Sequence, residues 1–190
     1  MTKGGNFSSL ASVFLRKATG IPGMATVRYA NTGDAEAIAA IWNPQIRETP
    51  FTFDHDVYSV AEIAAMIAQR QDAAQAWFVV EEDGRISGFA SFAPFRKGEG
   101  YGRTMEHTIF LDPEAGGDGL GELLMQAIEH EARVRSVHSL IACVTGENSV
   151  ALKFHRNLGF ATVGMIPQAG WKFGRWIDLV ILQKMLPDSK

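Results

Sequence analysis

The sequence predicts an α+β domain with a central mixed, mostly antiparallel sheet flanked by helices. The first observation is the order of strand-like (β) and helix-like (α) segments, which reads βααβββαβαββ. The second is the turn pair Asp83-Gly84 between two apolar runs, which is typical of an antiparallel hairpin. The third is bulk composition: 190 residues, 46% hydrophobic and 21% charged, fit one domain with a sizeable core.

The first half of the chain predicts one strand, two helices and a three-stranded meander. Residues 25–30 read as the first strand, and Asp34 is a candidate N-cap for a helix that ends near Pro44. The apolar face of that helix is Ala37, Ile38, Ile41 and Trp42. The remaining segments are a helix over about 59–71 and strands over 77–82, 85–95 and about 102–111.

The second half predicts two helices, each followed by strands. An amphipathic helix covers about 119–135, and residues 138–145 read as a buried strand. The next helix begins at Asn148, a good N-cap, and stops at Gly159, a candidate C′ glycine. Two final strands are predicted at about 160–167 and 175–186.

Residues 1–23 differ from the rest, because they contain no acidic residue and only three basic ones. Their apolar run LASVFL is too short for the core of a secretory signal. We expect an N-terminal extension, disordered or produced by an upstream start codon, with a targeting peptide as the alternative. Residues 24–190 are then a single domain.

Charge and cysteine content restrict the partners. A net charge of −3 without a basic cluster predicts no nucleic-acid partner, and no apolar stretch approaches the ~20 residues of a membrane span. The single cysteine, Cys143, lies in the apolar run LIACVT and is predicted to be a buried strand thiol in a cytoplasmic protein. The five histidines have no ligand spacing, so no metal is expected.

The most informative segment is residues 104–124, TMEHTIFLDPEAGGDGLGELL. A strand that leads through a glycine loop into a helix brings backbone N–H groups and the positive end of the helix dipole to one place, which suits a pyrophosphate. The spacing matches neither the dinucleotide-binding fingerprint nor a Walker loop. An ordinary strand-to-helix turn is the alternative interpretation.

Three stretches, residues 41–54, 101–113 and 170–186, occur in the order and with the motifs of one enzyme family. The chain resembles the GNAT superfamily of acyl-CoA-dependent N-acyltransferases over about residues 26–186, and within it the phosphinothricin and methionine sulfoximine acetyltransferases. The resemblance implies the GNAT fold, acetyl-CoA as co-substrate without a metal, a small amine as acceptor, and a homodimer.

The same resemblance assigns acetyl-CoA to the strand and loop described above. Ile109, Phe110 and Leu111 would line the pantetheine, and Asn148 would hydrogen-bond to it, although its N-cap role explains it equally. The phosphates would lie at Gly116, Gly117, Asp118, Gly119, Leu120 and Gly121. Relatives often carry a basic residue in this loop, whereas this chain has an acidic Asp118, which puts the affinity for acetyl-CoA in question.

Glu106 is the predicted catalytic base. Along its strand it shares a face with Thr104, Thr108 and Phe110, and a partly desolvated carboxylate there could accept a proton from an ammonium substrate. A structural salt bridge is the alternative. His155, seven residues after Asn148, is the predicted donor of a proton to the leaving thiolate, with a half-exposed helix histidine as the alternative. For His107 a structural or dimer-contact role is expected.

An amino-acid-like acceptor needs a cation for its carboxylate and apolar walls. The predicted substrate-binding residues are Phe53, Arg96, Tyr101, Arg103, Trp171 and Lys172. Relatives often read FRxRPAY where this chain has FRKGEGY, a departure that bears on acceptor identity. The C-terminal hairpin, with Trp171 and Trp176, is the expected dimer element.

These residues predict an acetyl-CoA-dependent N-acetyltransferase in which the α-amine of the acceptor attacks directly in a ternary complex. The expected acceptors are phosphinothricin, methionine sulfoximine or methionine sulfone. Two alternatives remain open at this point: a GNAT enzyme for an aminoglycoside, a polyamine or a protein N-terminus, and a non-catalytic acyl-CoA-binding module.

Overall fold

The computed structural model describes residues 14–16, 25–73, 75–115 and 119–187. Within these ranges the strands are β1 (Phe14–Arg16), β2 (Ala25–Tyr29), β3 (Trp77–Glu82), β4 (Arg85–Pro94), β5 (Thr104–Leu111), β6 (Ser139–Thr145), β7 (Ala161–Lys172) and β8 (Arg175–Met185). The helices are α1 (Ala35–Glu48), α2 (Val60–Asp72), α3 (Leu120–Val134) and α4 (Ser149–Asn157). No helix of the described ranges is long and apolar enough to cross a bilayer.

All the strands belong to one sheet in the order β1-β2-β3-β4-β5-β6-β8-β7. Every neighbouring pair is antiparallel except β5 and β6, which run parallel because α3 connects them. The predicted α+β architecture with a mixed, mostly antiparallel sheet is therefore confirmed. The short strand β1, which pairs with β2, was not predicted.

The helices cover the two faces of the sheet. α1 and α2 pack on one face through a cluster that contains Ile38, Ile63 and Phe89. α3 covers the other face, where Leu124 and Leu140 belong to a larger cluster that also takes in residues of α4. The apolar faces predicted for these helices therefore pack on the two faces of one sheet.

The first helix differs from its prediction at both ends. Asp34 lies at its N-cap position but makes no capping bond; its carboxylate instead binds Arg28 and the Asn31 amide. The helix also continues through Pro44 to Glu48. Pro44 removes only the hydrogen bond to the exposed Ala40, and the following turn buries Ile46.

The other elements agree more closely. Asp83 and Gly84 both have positive φ, as a two-residue hairpin of the primed type requires. α4 has Asn148 as its cap, and Gly159 follows it with φ +88°. β7 extends to Lys172, five residues beyond its prediction, because bulges let it follow β8 to the hairpin turn.

The sheet opens between β5 and β6. These strands pair only from Thr104 to Glu106 on β5, opposite Ser139 to Ile141 on β6, whereas β4 stays paired with β5 as far as Leu111. Beyond Glu106 the edge of β5 that faces β6 therefore has no described strand partner. This divergence creates a cleft in the middle of the sheet.

Candidate active site

The cleft edge of β5 offers main-chain groups rather than side chains. Phe110 packs towards α1, with its ring 6.0 Å from Trp42 and 5.8 Å from Phe89. Ile109 and Leu111 pack towards the α3 side. Because packing already uses these three side chains, a ligand in the cleft would meet backbone N–H and C=O groups.

The glycine loop is described only at its end, since Gly116, Gly117 and Asp118 lie outside the described residues. Gly119 has φ +78°, a conformation that favours glycine, and it precedes the first turn of α3. Leu120 is a core residue. A Cβ on Gly121 would lie 3.1 Å from the Phe154 ring and 3.4 Å from Leu111, so this glycine permits close packing of α3 on α4.

The first-turn N–H groups of α3 have no partner within the helix, as at any helix start. They lie just beyond the carboxyl end of β5, beside the cleft. The loop and the helix start therefore offer donors to an anion, and Gly121 has a packing role that the sequence analysis did not assign.

Glu106 is half-buried and lies at the last paired position before β5 and β6 part. Its cross-strand partner is Ile141, and Cys143, two residues further along β6, faces the same side of the sheet. The Glu106 carboxylate lies close enough to the Cys143 thiol to act on its pKa. Burial, and then this carboxylate, raise the pKa of Cys143 to about 12, so the thiol stays protonated at neutral pH.

Arg96 brings a positive charge to the same place. It lies on the loop after β4, stacks on Phe95 with its guanidinium 4.1 Å from the ring, and donates to the Phe95 carbonyl. Its charge acts on Cys143, where it opposes the rise of the pKa. A cavity of about 640 Å³ is lined here by Pro94, Phe95, Arg96, Lys97, Gly98 and Gly102.

The loop between α1 and α2 rests on the C-terminal hairpin. Phe53 packs on the backbone of Gly170, and Lys172 Nζ donates to the Thr52 carbonyl at 2.7 Å. Lys172 is only 3% exposed, and burial lowers its pKa while the charge of Asp54 opposes that shift. Lys172 thus contacts the loop itself.

The remaining predicted acceptor residues are dispersed. Trp171 is exposed and pairs with Trp176 at 5.2 Å, on the face of the hairpin opposite to Gly170 and Phe53. Tyr101 is exposed and its ring lies 6.4 Å from Phe95. Arg103 donates to the Ser136 carbonyl at 2.6 Å, at the paired end of β5 away from the cleft opening.

His155 lies on the side of β5 opposite to Glu106 and forms a buried pair with His107. The two Nε2 atoms are 2.9 Å apart, and His155 Nδ1 is 2.7 Å from the Ala151 carbonyl. With 3% exposure His155 is buried, unlike the half-exposed histidine of the alternative interpretation.

These distances assign the tautomers of the neutral pair. A carbonyl oxygen only accepts, so His155 Nδ1 carries the proton and donates to the Ala151 carbonyl, and His155 Nε2 accepts a hydrogen bond from Nε2–H of His107. Nδ1 of His107 then makes no hydrogen bond of standard geometry within the described chain, although the Ile141 backbone lies near enough to favour protonation slightly. Both ring nitrogens of His155 are engaged, so donation to a leaving group requires one of these bonds to break.

Burial is the main cause of the low basicity of this pair. Desolvation, and then the neighbouring His155, lower the pKa of His107 to about 3. Desolvation also lowers the pKa of His155. The two rings, with Phe160 against both of them, form part of the packing between β5 and α4.

Asn148 caps α4, because its Oδ1 accepts from the Ala151 amide at 3.0 Å. This is the role that explains the residue without a ligand. Within the described residues no group of three or more His, Cys, Asp or Glu side chains is placed to hold a metal ion.

Sequence reasoning missed two residues at this site. Cys143 was assigned to the core, although its alternation with Ile141 would have placed it beside Glu106 had the β5–β6 register been known. Gly170 carries no signal of its own, because its importance depends on Phe53, which is more than a hundred residues away in sequence.

Comparison with known proteins gives one family. A family model described as an acetyltransferase (GNAT) domain matches residues 27–181. L-amino acid N-acyltransferase MnaT of Escherichia coli (strain K12) is 33% identical over 86% of this chain and 95% of its own length. L-methionine sulfoximine/L-methionine sulfone acetyltransferase of Salmonella typhimurium is 32% identical over 86% and 95%. Phosphinothricin N-acetyltransferase of Alcaligenes faecalis is 32% identical over 85% and 82%.

Solved structures agree with this assignment. The chain is similar to yncA, a putative acetyltransferase from Salmonella typhimurium solved with its cofactor acetyl-CoA, with a TM-score of 0.83, 32% identity and coverage of 87% of this chain and 96% of the other. For a phosphinothricin acetyltransferase of Sinorhizobium meliloti in complex with acetyl-CoA the TM-score is 0.81 at 28% identity, over 85% and 88%. The chain therefore belongs to the GNAT family of N-acetyltransferases.

Proposed function

We propose that this protein transfers the acetyl group of acetyl-CoA to the α-amine of a small amino-acid-like acceptor. The observation that carries the proposal is the half-buried Glu106 carboxylate where β5 and β6 part, with the Cys143 thiol and the Arg96 charge near it. The names of the relatives support the acceptor class, which includes phosphinothricin, methionine sulfoximine and methionine sulfone.

Acetyl-CoA would lie in the cleft between β5 and β6. The main-chain edge of Ile109, Phe110 and Leu111 that faces away from β4 suits the pantetheine, and the first-turn N–H groups of α3 suit the pyrophosphate. Gly116, Gly117, Asp118, Gly119, Leu120 and Gly121 complete the proposed phosphate site. A backbone N–H of the β5 edge would stabilise the negative charge on the thioester oxygen during attack.

Glu106 is the proposed base. The acceptor arrives as an ammonium ion, and its nitrogen becomes a nucleophile only after a proton moves to the carboxylate, directly or through water. The amine then forms a C–N bond to the thioester carbon, the C–S bond breaks, and CoA leaves as a thiolate. A hydrogen bond from the protonated Cys143 thiol, which lies near the carboxylate, would hold it in place.

The attacking nitrogen still carries one proton more than the amide product, and it loses this proton to water as the C–S bond breaks, while the departing thiolate takes up one proton. Overall, an ammonium and a thioester give an amide, the CoA thiol and one released proton. We propose His155 as the source of the proton for the thiolate, as the family pattern suggests, through its Nδ1–H and at the expense of the hydrogen bond to the Ala151 carbonyl. Asn148 is proposed to contact the pantetheine. Water in the cleft is the alternative source of the proton, since both nitrogens of His155 already have partners.

Arg96 is the proposed partner of the acceptor carboxylate, because its charge reaches the Glu106 side of the sheet. Phe53 and Tyr101 are proposed as apolar walls. Lys172, Arg103 and Trp171 are better explained as contacts to the loop, to Ser136 and to Trp176, respectively.

The test is a panel of amines assayed by thiol release, with Glu106→Gln beside the wild type. We expect turnover of amino-acid acceptors and a loss of kcat of about 10²–10⁴-fold in the variant. Acetyl-CoA binding, measured by calorimetry, should survive. Glu36→Gln, at an exposed position of α1, is the matched control. Tight acetyl-CoA binding with no turnover of any amine would contradict the proposal and favour a binding module.

A further inference from the structure

We propose that Gly170 is a specificity-determining residue that fixes the acceptor pocket by providing the surface on which the Phe53 ring rests. The inference depends on the proposed function, because it assigns Phe53 to the wall of the acceptor site. It adds a residue of the C-terminal hairpin that would act without touching the acceptor.

The contact is unusually close. A Cβ on Gly170 would lie 2.4 Å from Cδ1 and Cε1 of Phe53 and 2.5 Å from its Cγ. No side chain larger than hydrogen fits there while the ring keeps its position. Gly170 does not have a positive φ, so alanine is excluded by the ring alone and not by backbone conformation.

A second contact holds the same loop on the same strand. Lys172 is two residues beyond Gly170, so both face the loop, and its Nζ donates to the Thr52 carbonyl at 2.7 Å. Within the loop, Thr52 Oγ1 donates to Asp54 at 3.0 Å and accepts from the Asp54 amide at 3.2 Å. Phe53 therefore lies between two residues whose backbone is fixed.

The end of the loop is tied to α1. The Asn43 side chain donates to the Tyr58 carbonyl at 2.8 Å and accepts from the Tyr58 amide at 3.0 Å. The loop is held by α1 at its end and by the hairpin at its middle. Its backbone therefore has little freedom to move with the Phe53 ring. A displaced ring must move relative to the sheet surface.

The register of the sheet shows which side the ring covers. Glu106 pairs with Ile141, and Cys143 lies on the same face and pairs with Ile181. Ile177, four residues before Ile181 on β8, shares that face and pairs with Gly170. A Cβ on Gly170 would therefore lie on the face of the sheet that carries Glu106, and the Phe53 ring packs on this face.

An added methyl group at position 170 should displace the Phe53 ring and change the shape of the space in front of Glu106. Removal of the ring should enlarge that space instead. We therefore expect Gly170→Ala to impair short acceptors and Phe53→Ala to shift preference towards amino acids with longer side chains.

The experiment compares Gly170→Ala, Phe53→Ala and the double variant in steady-state assays with amino-acid acceptors of increasing side-chain length. Gly170→Ala should raise the acceptor KM about tenfold or more, with the KM for acetyl-CoA changed little. In the Phe53→Ala background the same change should have almost no further effect. Gly164→Ala, in β7 with open space around the position, is the matched control and should behave as the wild type.

A second measurement separates this inference from the proposed function. Chemical unfolding of the wild type, the two single variants and the double variant gives the coupling free energy between positions 53 and 170. This measurement does not depend on any turnover. An enzyme inert towards all amines would defeat the proposed function, while a measured coupling would still establish the contact. Additive effects on unfolding, or equal rises of both KM values, would overturn the role of Gly170. If Gly170→Ala does not fold, the double variant and Phe53→Leu provide the comparison.

Discussion

The Glu106 carboxylate lies near the neutral Cys143 thiol on β6, and Arg96, on the loop after β4, brings a positive charge near the same thiol. Cys143 can orient the carboxylate of this base without forming an ion pair with it, because the thiol keeps its proton. Among the described residues the exposed Arg96 hydrogen-bonds to the Phe95 carbonyl and stacks on the Phe95 ring, so its guanidinium has further donors to offer to an incoming carboxylate.

Replacement of Arg96 by glutamine should therefore weaken acceptor binding and leave acetyl-CoA binding intact. We expect the acceptor KM to rise by about 10–100-fold, as for the loss of one charged hydrogen-bond partner. Steady-state kinetics with both substrates varied measures this. Arg156→Gln, on α4, is the control. An unchanged acceptor KM would remove Arg96 from the site.

The buried histidine pair predicts a pH dependence of stability. Burial lowers the pKa of His107 from its ordinary value of 6.5 to about 3 in the folded protein. Between these pH values the unfolded chain therefore binds a proton that the folded protein does not bind. The pKa of His155 is lowered in the same direction. The free energy of unfolding should thus fall as the pH drops below about 6.5, by up to about 1.4 kcal/mol per pH unit per histidine.

Urea unfolding at pH 7.5 and pH 5 measures this loss. His107→Phe/His155→Phe should lose less stability between the two pH values than the wild type does. His138→Gln, at an exposed position, controls for removal of a histidine as such. Equal losses in the double variant and the wild type would show that the acid sensitivity arises elsewhere.

Strand alternation was sufficient to place Glu106 and His107 on opposite faces of β5, and the structure agrees with that placement. The partners of these residues could not be predicted, because they come from β6 and α4. Lys172 shows the same limit: a cation near an expected acceptor site predicts a ligand contact, whereas its real partner, the Thr52 carbonyl, is 120 residues away in sequence.

At the scale of elements, capping and turn signals predicted boundaries best. α4 starts after its predicted cap Asn148 and ends just before Gly159, and the Asp83-Gly84 turn forms as expected. The prediction that α1 ends near Pro44 was wrong, because burial of Ile46 outweighs one lost hydrogen bond to an exposed carbonyl. Tertiary packing, which local sequence does not contain, decided that boundary.

The contact between α3 and α4 gives a prediction of its own. Because a Cβ on Gly121 would already lie 3.1 Å from the Phe154 ring, Gly121→Val should force the two helices apart. We expect a loss of about 1–3 kcal/mol in the free energy of unfolding, as for other overpacked sites. Denaturant unfolding measures it, with an alanine at the open position Gly100 as control. A stability equal to that of the wild type would argue against this packing role.

For the whole molecule, we propose that the β7–β8 hairpin forms a homodimer contact. Its exposed apolar side chains are Val163, Met165, Ile166, Trp171, Phe173, Trp176 and Met185. Exposed apolar side chains concentrated on one hairpin are typical of an interaction surface. The paired rings of Trp171 and Trp176 are suitable anchors for an interface.

Light scattering coupled to gel filtration tests this proposal. We expect the wild type to have twice the chain mass of 20.8 kDa, and Trp171→Ser/Trp176→Ser to have the mass of one chain. Val134→Ser, which changes an exposed apolar residue of α3, should leave the mass as in the wild type. A monomeric wild type at micromolar concentration would contradict the proposal.

The protonated state of Cys143 has a practical consequence for labelling. As the only cysteine of the chain, with a pKa near 12, it should react slowly with maleimides and aromatic disulfide reagents at neutral pH. Colorimetric detection of released coenzyme thiol would then have little background from the protein. A cysteine introduced at a surface position could carry a fluorophore without prior removal of the native one.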